Sequence, residues 1–133
     1  MVLIEMKKAA ILFLCLLMVS ITACGNENNN SSTAVYRKIT ADEAYQMMQD
    51  TDKFTLLDVR TVEEFEERHI EGAVLIPDFE INDRAAEELP DKNALILIYC
   101  RTGRRSANVA NILVEMGYTN IYDFGGINDW SYN

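Results

Sequence analysis

Histidine, cysteine and basic residues are scarce in this chain, and each scarcity excludes something. There is one histidine, His69, and the three cysteines lie far apart at Cys15, Cys24 and Cys100. Neither type has companions at ligand spacing, so no metal site is expected, and no cofactor-binding pattern is read either. Lysine and arginine total 12 against 21 acidic residues, a formal net charge of -9, which argues against nucleic acid or an anionic surface as the main partner. No apolar run reaches the roughly 17–25 residues that cross a bilayer. What remains is ordinary: 133 residues, 49% hydrophobic and 25% charged, which suits one foldable domain.

The N-terminus has a separate character. Lys7-Lys8 precede the apolar run Ala9 to Val19, and small and polar residues then lead to Cys24. This is the layout of a secretory signal. Glu5 is out of place in a positive start, which points to Met6 as an alternative initiator. Ile21-Thr22-Ala23-Cys24 resembles the processing box of bacterial lipoproteins, in which the cysteine takes the lipid and becomes the mature N-terminus. The resemblance implies a signal over residues 1–23, and a lipidated Cys24 with a polar tether (NENNNSSTA) over 24–34. The domain then occupies 35–133. Acyl chains such as palmitate would hold the protein on the outer face of a cell membrane or on an outer membrane. A plain secreted protein with an incidental cysteine is the competing reading. With Cys15 removed and Cys24 blocked, Cys100 is the one free thiol expected in the mature chain, so no intramolecular disulfide can form.

From Val35 onward, strand-like and helix-like stretches alternate. Val35 to Ile39 reads as an edge strand. Thr40 with Glu43 three residues on forms a capping box for a helix through Gln49. Phe54 to Val59 reads as a strand, and Val62 to His69 as a charged helix with Phe65 turned inward. Ala73 to Ile76 is a short buried strand stopped by Pro77, and Ile81 to Leu89 a short helix ending before Pro90. Ala94 to Tyr99 (ALILIY) is continuously apolar, as a central strand covered on both faces requires. Arg104 to Met116 forms a helix with Ala107, Ala110, Leu113 and Val114 inward, closed by a left-handed Gly117. Ile121 to Phe124 is the last strand. The alternation predicts an α/β fold: an open, mainly parallel five-stranded sheet with helices on both faces. Sites in such folds lie at the carboxyl edge of the strands.

That edge carries Cys100-Arg101-Thr102-Gly103-Arg104-Arg105-Ser106, where the most apolar strand gives way to a helix. Gly103 lets the loop curl, and the amides of the loop and helix start then converge as an anion nest. A thiol there is expected to ionise readily, falling from about 8.5 towards roughly 3.5–7.5 beside helix N-termini and arginines. Arg101, Arg104 and Arg105 put three cations near it, where the helix dipole alone disfavours them. Their presence points to an external anion, with a solvated helix start as the competing reading for at least one of the three. The alternative for Cys100 is a buried strand-end thiol that packs as a small hydrophobe.

CRTGRRSA followed by GYTNIYDFGGINDW resembles the active-site loop and C-terminal signature of the rhodanese family. Leu57-Asp58-Val59-Arg60-Thr61, Glu63-Glu64-Phe65, His69-Ile70-Glu71-Gly72-Ala73 and Ile76-Pro77 resemble its N-terminal signature. The resemblance spans about Tyr36 to Trp130. It implies that Cys100 carries sulfur as a persulfide, and that Arg101, Thr102, Gly103, Arg104 and Arg105 complete the substrate-binding loop. Asp58, Arg60 and Glu64 would be architectural support, with Asp58 and Arg60 as a buried ion pair. His69 suits a structural hydrogen bond better than a general base, and Trp130 a lid over the core. The chain departs from the family at Arg68, where glycine is usual, and at Val62 and Glu71, where proline is frequent. These departures bear on local geometry rather than on chemistry.

The implied activity is transfer of sulfur from a small anionic donor such as thiosulfate to a thiol or cyanide-like acceptor. A second reading is a non-catalytic persulfide carrier or redox-binding module serving an envelope protein. A third, an arsenate reductase or phosphatase, is disfavoured because the loop from Cys100 to Arg105 is one residue shorter than the phosphate-cradling loops of related phosphatases.

Overall fold

Alternation between apolar strands and amphipathic helices organises residues 35–132, which are the residues the computed structural model describes. The expected signal over 1–23 and the lipidated Cys24 with its tether over 24–34 lie outside them. In chain order the strands are β1 (Arg37–Lys38), β2 (Phe54–Asp58), β3 (Val74–Leu75), β4 (Leu95–Cys100) and β5 (Ile121–Gly126). The helices are α1 (Ala41–Asp50), α2 (Val62–Glu67), α3 (Ile81–Glu88) and α4 (Arg104–Glu115), with 3-10 turns at Asp78–Glu80 and Ile127–Asp129. The five strands form one sheet in the order β1-β5-β4-β2-β3, and every pairing is parallel.

The central strand β4 shows why both faces must be covered. Its side chains alternate, so Leu97 and Tyr99 face one way and Ile96, Ile98 and Cys100 the other. Leu97 and Tyr99 pack with Ala41 and Ala44 of α1, Phe124, Ile127 and Trp130. Ile96, Ile98 and Cys100 pack with Ile81 and Ala85 of α3 and Val109, Ala110 and Leu113 of α4. Period two therefore places the Cys100 sulfur on the α4 face, beneath that helix's start. Cys100 is the last residue of β4, one place earlier relative to the strand end than the sequence reading had it.

Both α1 and α2 begin with a complete capping box, Thr40 with Glu43 and Thr61 with Glu64. Each box satisfies two amides that a helix start otherwise leaves open. Helix α4 begins differently: its cap is Gly103 at φ 99°, with no side chain accepting from the first turn.

Four expectations are corrected. Helix α2 ends at Glu67, because Arg68 turns extended (φ -164°) and its carbonyl accepts from Arg60 Nη2 at 2.6 Å. In that conformation an ordinary residue fits where the family pattern has glycine. Phe65 is only half-buried and stacks on His69 at 3.9 Å, while Glu64 is the α2 side chain that turns inward. The inward stripe of α4 is Ser106, Val109, Ala110 and Leu113; Ala107 and Val114 are half-buried, so the helix is rotated from the expected phase. Finally, β3 lies at the sheet edge with Val74 exposed, and burial is left to Ile76 just beyond it.

Candidate active site

The carboxyl edge of the sheet gathers three segments: the loop after β2, the loop from Cys100 into α4, and the turn at the end of β5. The first is fixed by Asp58 and Arg60, both buried. Arg60 Nε and Nη2 donate to Asp58 Oδ1 and Oδ2 at 3.0 and 2.6 Å, and the guanidinium lies 5.5 Å from the centre of the Tyr99 ring. This is the buried ion pair read from the sequence. Its position under Tyr99 ties β2 to the strand that carries the thiol.

The second segment is shaped by close backbone approach. A Cβ on Gly103 would stand 3.2 Å from Gly125 Cα, besides the strain of a positive φ, and a Cβ on Gly126 would overlap the Arg101 carbonyl oxygen. The register between β4 and β5 shifts between Ile98 and Cys100, so β5 bulges beside the thiol. Asp123, fully buried, fixes that bulge by accepting from the Gly125 amide at 3.0 Å. The loop is thus pressed against the end of β5 by glycine-to-glycine contact.

Cys100 sits at the bottom of this loop, 1% exposed. The Gly103 amide donates to its sulfur at 3.0 Å, so the sulfur takes the place of the cap that α4 lacks. Burial pushes the thiol up. The Ser106 amide and hydroxyl, with the amides of Gly103 and Thr102, outweigh it and leave the thiol below its ordinary value. The anion nest expected from the sequence is present, built from backbone more than from arginine.

Two of the three loop arginines are held by one carboxylate. Arg105 makes a forked pair with Glu64, Nη1 to Oε2 at 2.7 Å and Nη2 to Oε1 at 2.8 Å, and Arg101 Nε reaches Oε1 at 2.7 Å. Glu64 Oε2 also accepts from the Thr61 amide at 3.0 Å. The Arg105 hydrogen bonds, opposed by burial and aided by the Thr61 amide and both arginine charges, hold the Glu64 carboxyl down to about 2. Glu64, expected as architecture, is the counter-ion of the loop. Among the described residues Arg104 alone of the three arginines forms no ion pair. A cleft of about 460 Å³ lies over the loop, lined by Thr61, Glu64, Arg101, Thr102, Arg104 and Arg105.

His69 is exposed, and its Nδ1 lies 2.9 Å from the Phe65 carbonyl, a local structural contact. Trp130 is buried against Phe124 and Tyr45, as a lid over the core. Sequence reasoning missed Ser106 as a thiolate partner, Asp123 as the support of the bulge and the Thr61–Glu64 box. Ser106 was open to detection as a small polar residue in the first turn of α4, and Thr61-x-x-Glu64 as a repeat of the pattern at Thr40. Among the described residues no group of three or more His, Cys, Asp or Glu side chains is placed to hold a metal.

Comparison with known proteins agrees with this geometry. The rhodanese-like domain family matches residues 40–133. Thiosulfate sulfurtransferase PspE of Escherichia coli K12 is 42% identical over 73 residues, covering 55% of this chain and 70% of that protein. Thiosulfate sulfurtransferase GlpE of Haemophilus influenzae is 34% identical over 99 residues, covering 71% and 88%. The putative sulfur carrier protein YrkF of Bacillus subtilis is 32% identical over 108 residues, covering 80% of this chain but 57% of that protein. Among solved structures, a rhodanese-like domain protein from Staphylococcus aureus superposes with a TM-score of 0.62 at 32% identity, covering 71% and 91%. A rhodanese with anions from E. coli gives 0.56 at 39%, covering 59% and 93%. A parallel sheet, a thiol under an uncapped helix and agreement along nearly the whole domain lead to one conclusion: the chain belongs to the rhodanese-like domain family.

Proposed function

We propose that this protein is a lipid-anchored, extracytoplasmic sulfurtransferase that moves sulfane sulfur from a small anionic donor such as thiosulfate to a nucleophilic acceptor through a Cys100 persulfide. The observation that carries the reading is the Cys100 sulfur at the start of α4, where the Gly103 amide donates to it and no side chain caps the helix. In the first step the Cys100 thiolate attacks the outer sulfur of thiosulfate. A new S–S bond forms, the donor's S–S bond breaks, and its electron pair leaves with sulfite. The persulfide Cys100–S–S⁻ is itself an anion, suited to the same amides. In the second step an acceptor thiolate or cyanide takes the outer sulfur, and the electron pair returns to the Cys100 sulfur. No outside oxidant or reductant is needed. Arg104, which forms no ion pair among the described residues, is the residue best placed to attract the donor, while Glu64 holds Arg101 and Arg105 in position.

Anchoring rests on the sequence: Lys7-Lys8, the apolar run to Val19 and the Ile21-Thr22-Ala23-Cys24 box support a lipidated Cys24 on a cell or outer membrane, where an envelope protein is within reach as a recipient of sulfur. Intact mass spectrometry of protein purified from the membrane fraction, before and after thiosulfate, tests both parts. The expected result is a lipid adduct at Cys24 and the gain of one sulfur at Cys100, with ping-pong kinetics in turnover. Folded, reduced protein that gains no sulfur and turns over no thiosulfate refutes the enzymatic reading. An unlipidated Cys24 in membrane-derived protein refutes the anchor.

A persulfide carrier is the second reading, favoured by the similarity to a protein named as a putative sulfur carrier. Capture of an envelope partner by the Cys100→Ser variant, with negligible thiosulfate turnover in the parent protein, would select it.

A further inference from the structure

The pair between Arg101 and Glu64 stands between two clefts. One is the space over the loop already described. The other, about 470 Å³, opens on the α2 side of the same pair and is bounded by Arg60, Glu67, Arg68 and Asn128. Its volume falls within the range of small-molecule sites. Because both clefts share Arg101 and Glu64, a ligand in the second lies next to the space where a sulfur donor enters.

The charges lining this second cleft are not all free to act. Arg60 is paired with Asp58, and Arg101 shares the single charge of Glu64 with Arg105. Two neighbouring residues of opposite sign take part in none of these pairs, Glu67 and Arg68. Both are exposed, and among the described residues neither forms an ion pair. Arg68 is nevertheless held in place at both ends. Its carbonyl accepts from Arg60 Nη2 at 2.6 Å, and its own Nη2 donates to the Trp130 carbonyl at 3.2 Å. A carbonyl partner steadies the guanidinium without neutralising it and leaves donors in its fork for a carboxylate.

We infer that this cleft is the acceptor subsite, built for a small zwitterionic thiol whose carboxylate pairs with Arg68 and whose ammonium group pairs with Glu67. The inference rests on the sulfurtransferase reading and names its second substrate. The acceptor thiolate attacks the outer sulfur of Cys100–S–S⁻. Its own S–S bond forms, the bond to Cys100 breaks, and the products are the acceptor persulfide and the Cys100 thiolate. Donor and acceptor enter on opposite sides of one ion pair, which suits two half-reactions that share a sulfur.

The test uses thiosulfate as donor and three acceptors: L-cysteine, 3-mercaptopropionate and 2-mercaptoethanol, with rates expressed per thiolate. In Arg68→Gln, kcat/KM for L-cysteine and for 3-mercaptopropionate is expected to fall roughly tenfold relative to that for 2-mercaptoethanol, the loss of about one charge-assisted pair. Glu67→Gln is expected to lower the L-cysteine ratio alone, and Arg68→Lys, which keeps the charge but not the fork, to lower the carboxylate-bearing acceptors less than Arg68→Gln does. Thermal melting of each variant controls for folding. An Arg68→Gln variant that lowers all three acceptors alike, or none, overturns the subsite. So does wild-type protein that loads sulfur from thiosulfate but is not unloaded by thiols. Wild-type protein that never loads sulfur removes the sulfurtransferase reading itself, and the subsite with it.

Discussion

Replacing Glu64 with glutamine probes the electrostatic frame of the loop. In the folded protein the carboxyl is held from an ordinary 4.5 down to about 2, chiefly by Arg105. That displacement corresponds to about 3 kcal/mol of folding stability at neutral pH, since each tenfold change in proton affinity is worth about 1.4 kcal/mol. The sign follows from the direction. A lowered folded-state value favours the folded form when the group is ionised, so the contribution is complete above 4.5 and is lost as pH falls towards about 2. Glutamine is nearly isosteric, but one of its terminal atoms becomes an N–H₂ donor facing guanidinium donors. It leaves Arg105, with 18% of its side chain exposed, without a counter-charge. Urea unfolding of wild type and Glu64→Gln at several pH values measures the effect. The gap should be about 3 kcal/mol at pH 7 and should close progressively between about pH 5 and pH 2. A gap that does not change with pH would show that Glu64 acts through packing or capping alone, and the electrostatic account would fail.

Ser106→Ala removes a hydroxyl that helps hold the Cys100 thiol low but keeps the Ser106 amide, so the pH profile of iodoacetamide alkylation should move to higher pH; an unchanged midpoint would show that the amides alone hold the thiol low. Gly103→Ala places a side chain at φ 99° and 3.2 Å from Gly125 Cα, and should destabilise the domain by about 2 kcal/mol in a denaturant melt while slowing alkylation of Cys100. Wild-type stability would contradict the close-packed loop. Cys100→Ser should abolish sulfur loading in the intact mass with little change in melting temperature, and any residual loading would relocate the nucleophile. Cys24→Ser should release the protein from the membrane fraction on cell breakage, and continued membrane association would show that lipid at that residue is not the anchor.

Much of the site was legible in the sequence because its signals are local. Cys100 and Gly103 stand at the junction of an apolar strand and a helix, and a parallel sheet puts that junction at its carboxyl edge. The phase of a helix and the partners of a charge are less local. The α4 stripe was misplaced because several small and apolar residues fit more than one rotation of the helix, and packing under Ser106 and Val109 chose between them.

The sequence by itself determined the alternation of elements, the sheet they form and the thiol at its edge, because period two, period 3.6 and a glycine turn are properties of neighbouring residues. The tertiary structure decided that Glu64, 41 positions before Arg105, pairs with two loop arginines at once, and that Asp123 braces the bulge beside the thiol. It also decided that Arg68 and Glu67, which form no ion pair among the described residues, meet at a second cleft. Long charged side chains have many partners within reach, and only the folded positions of the segments that carry them select one.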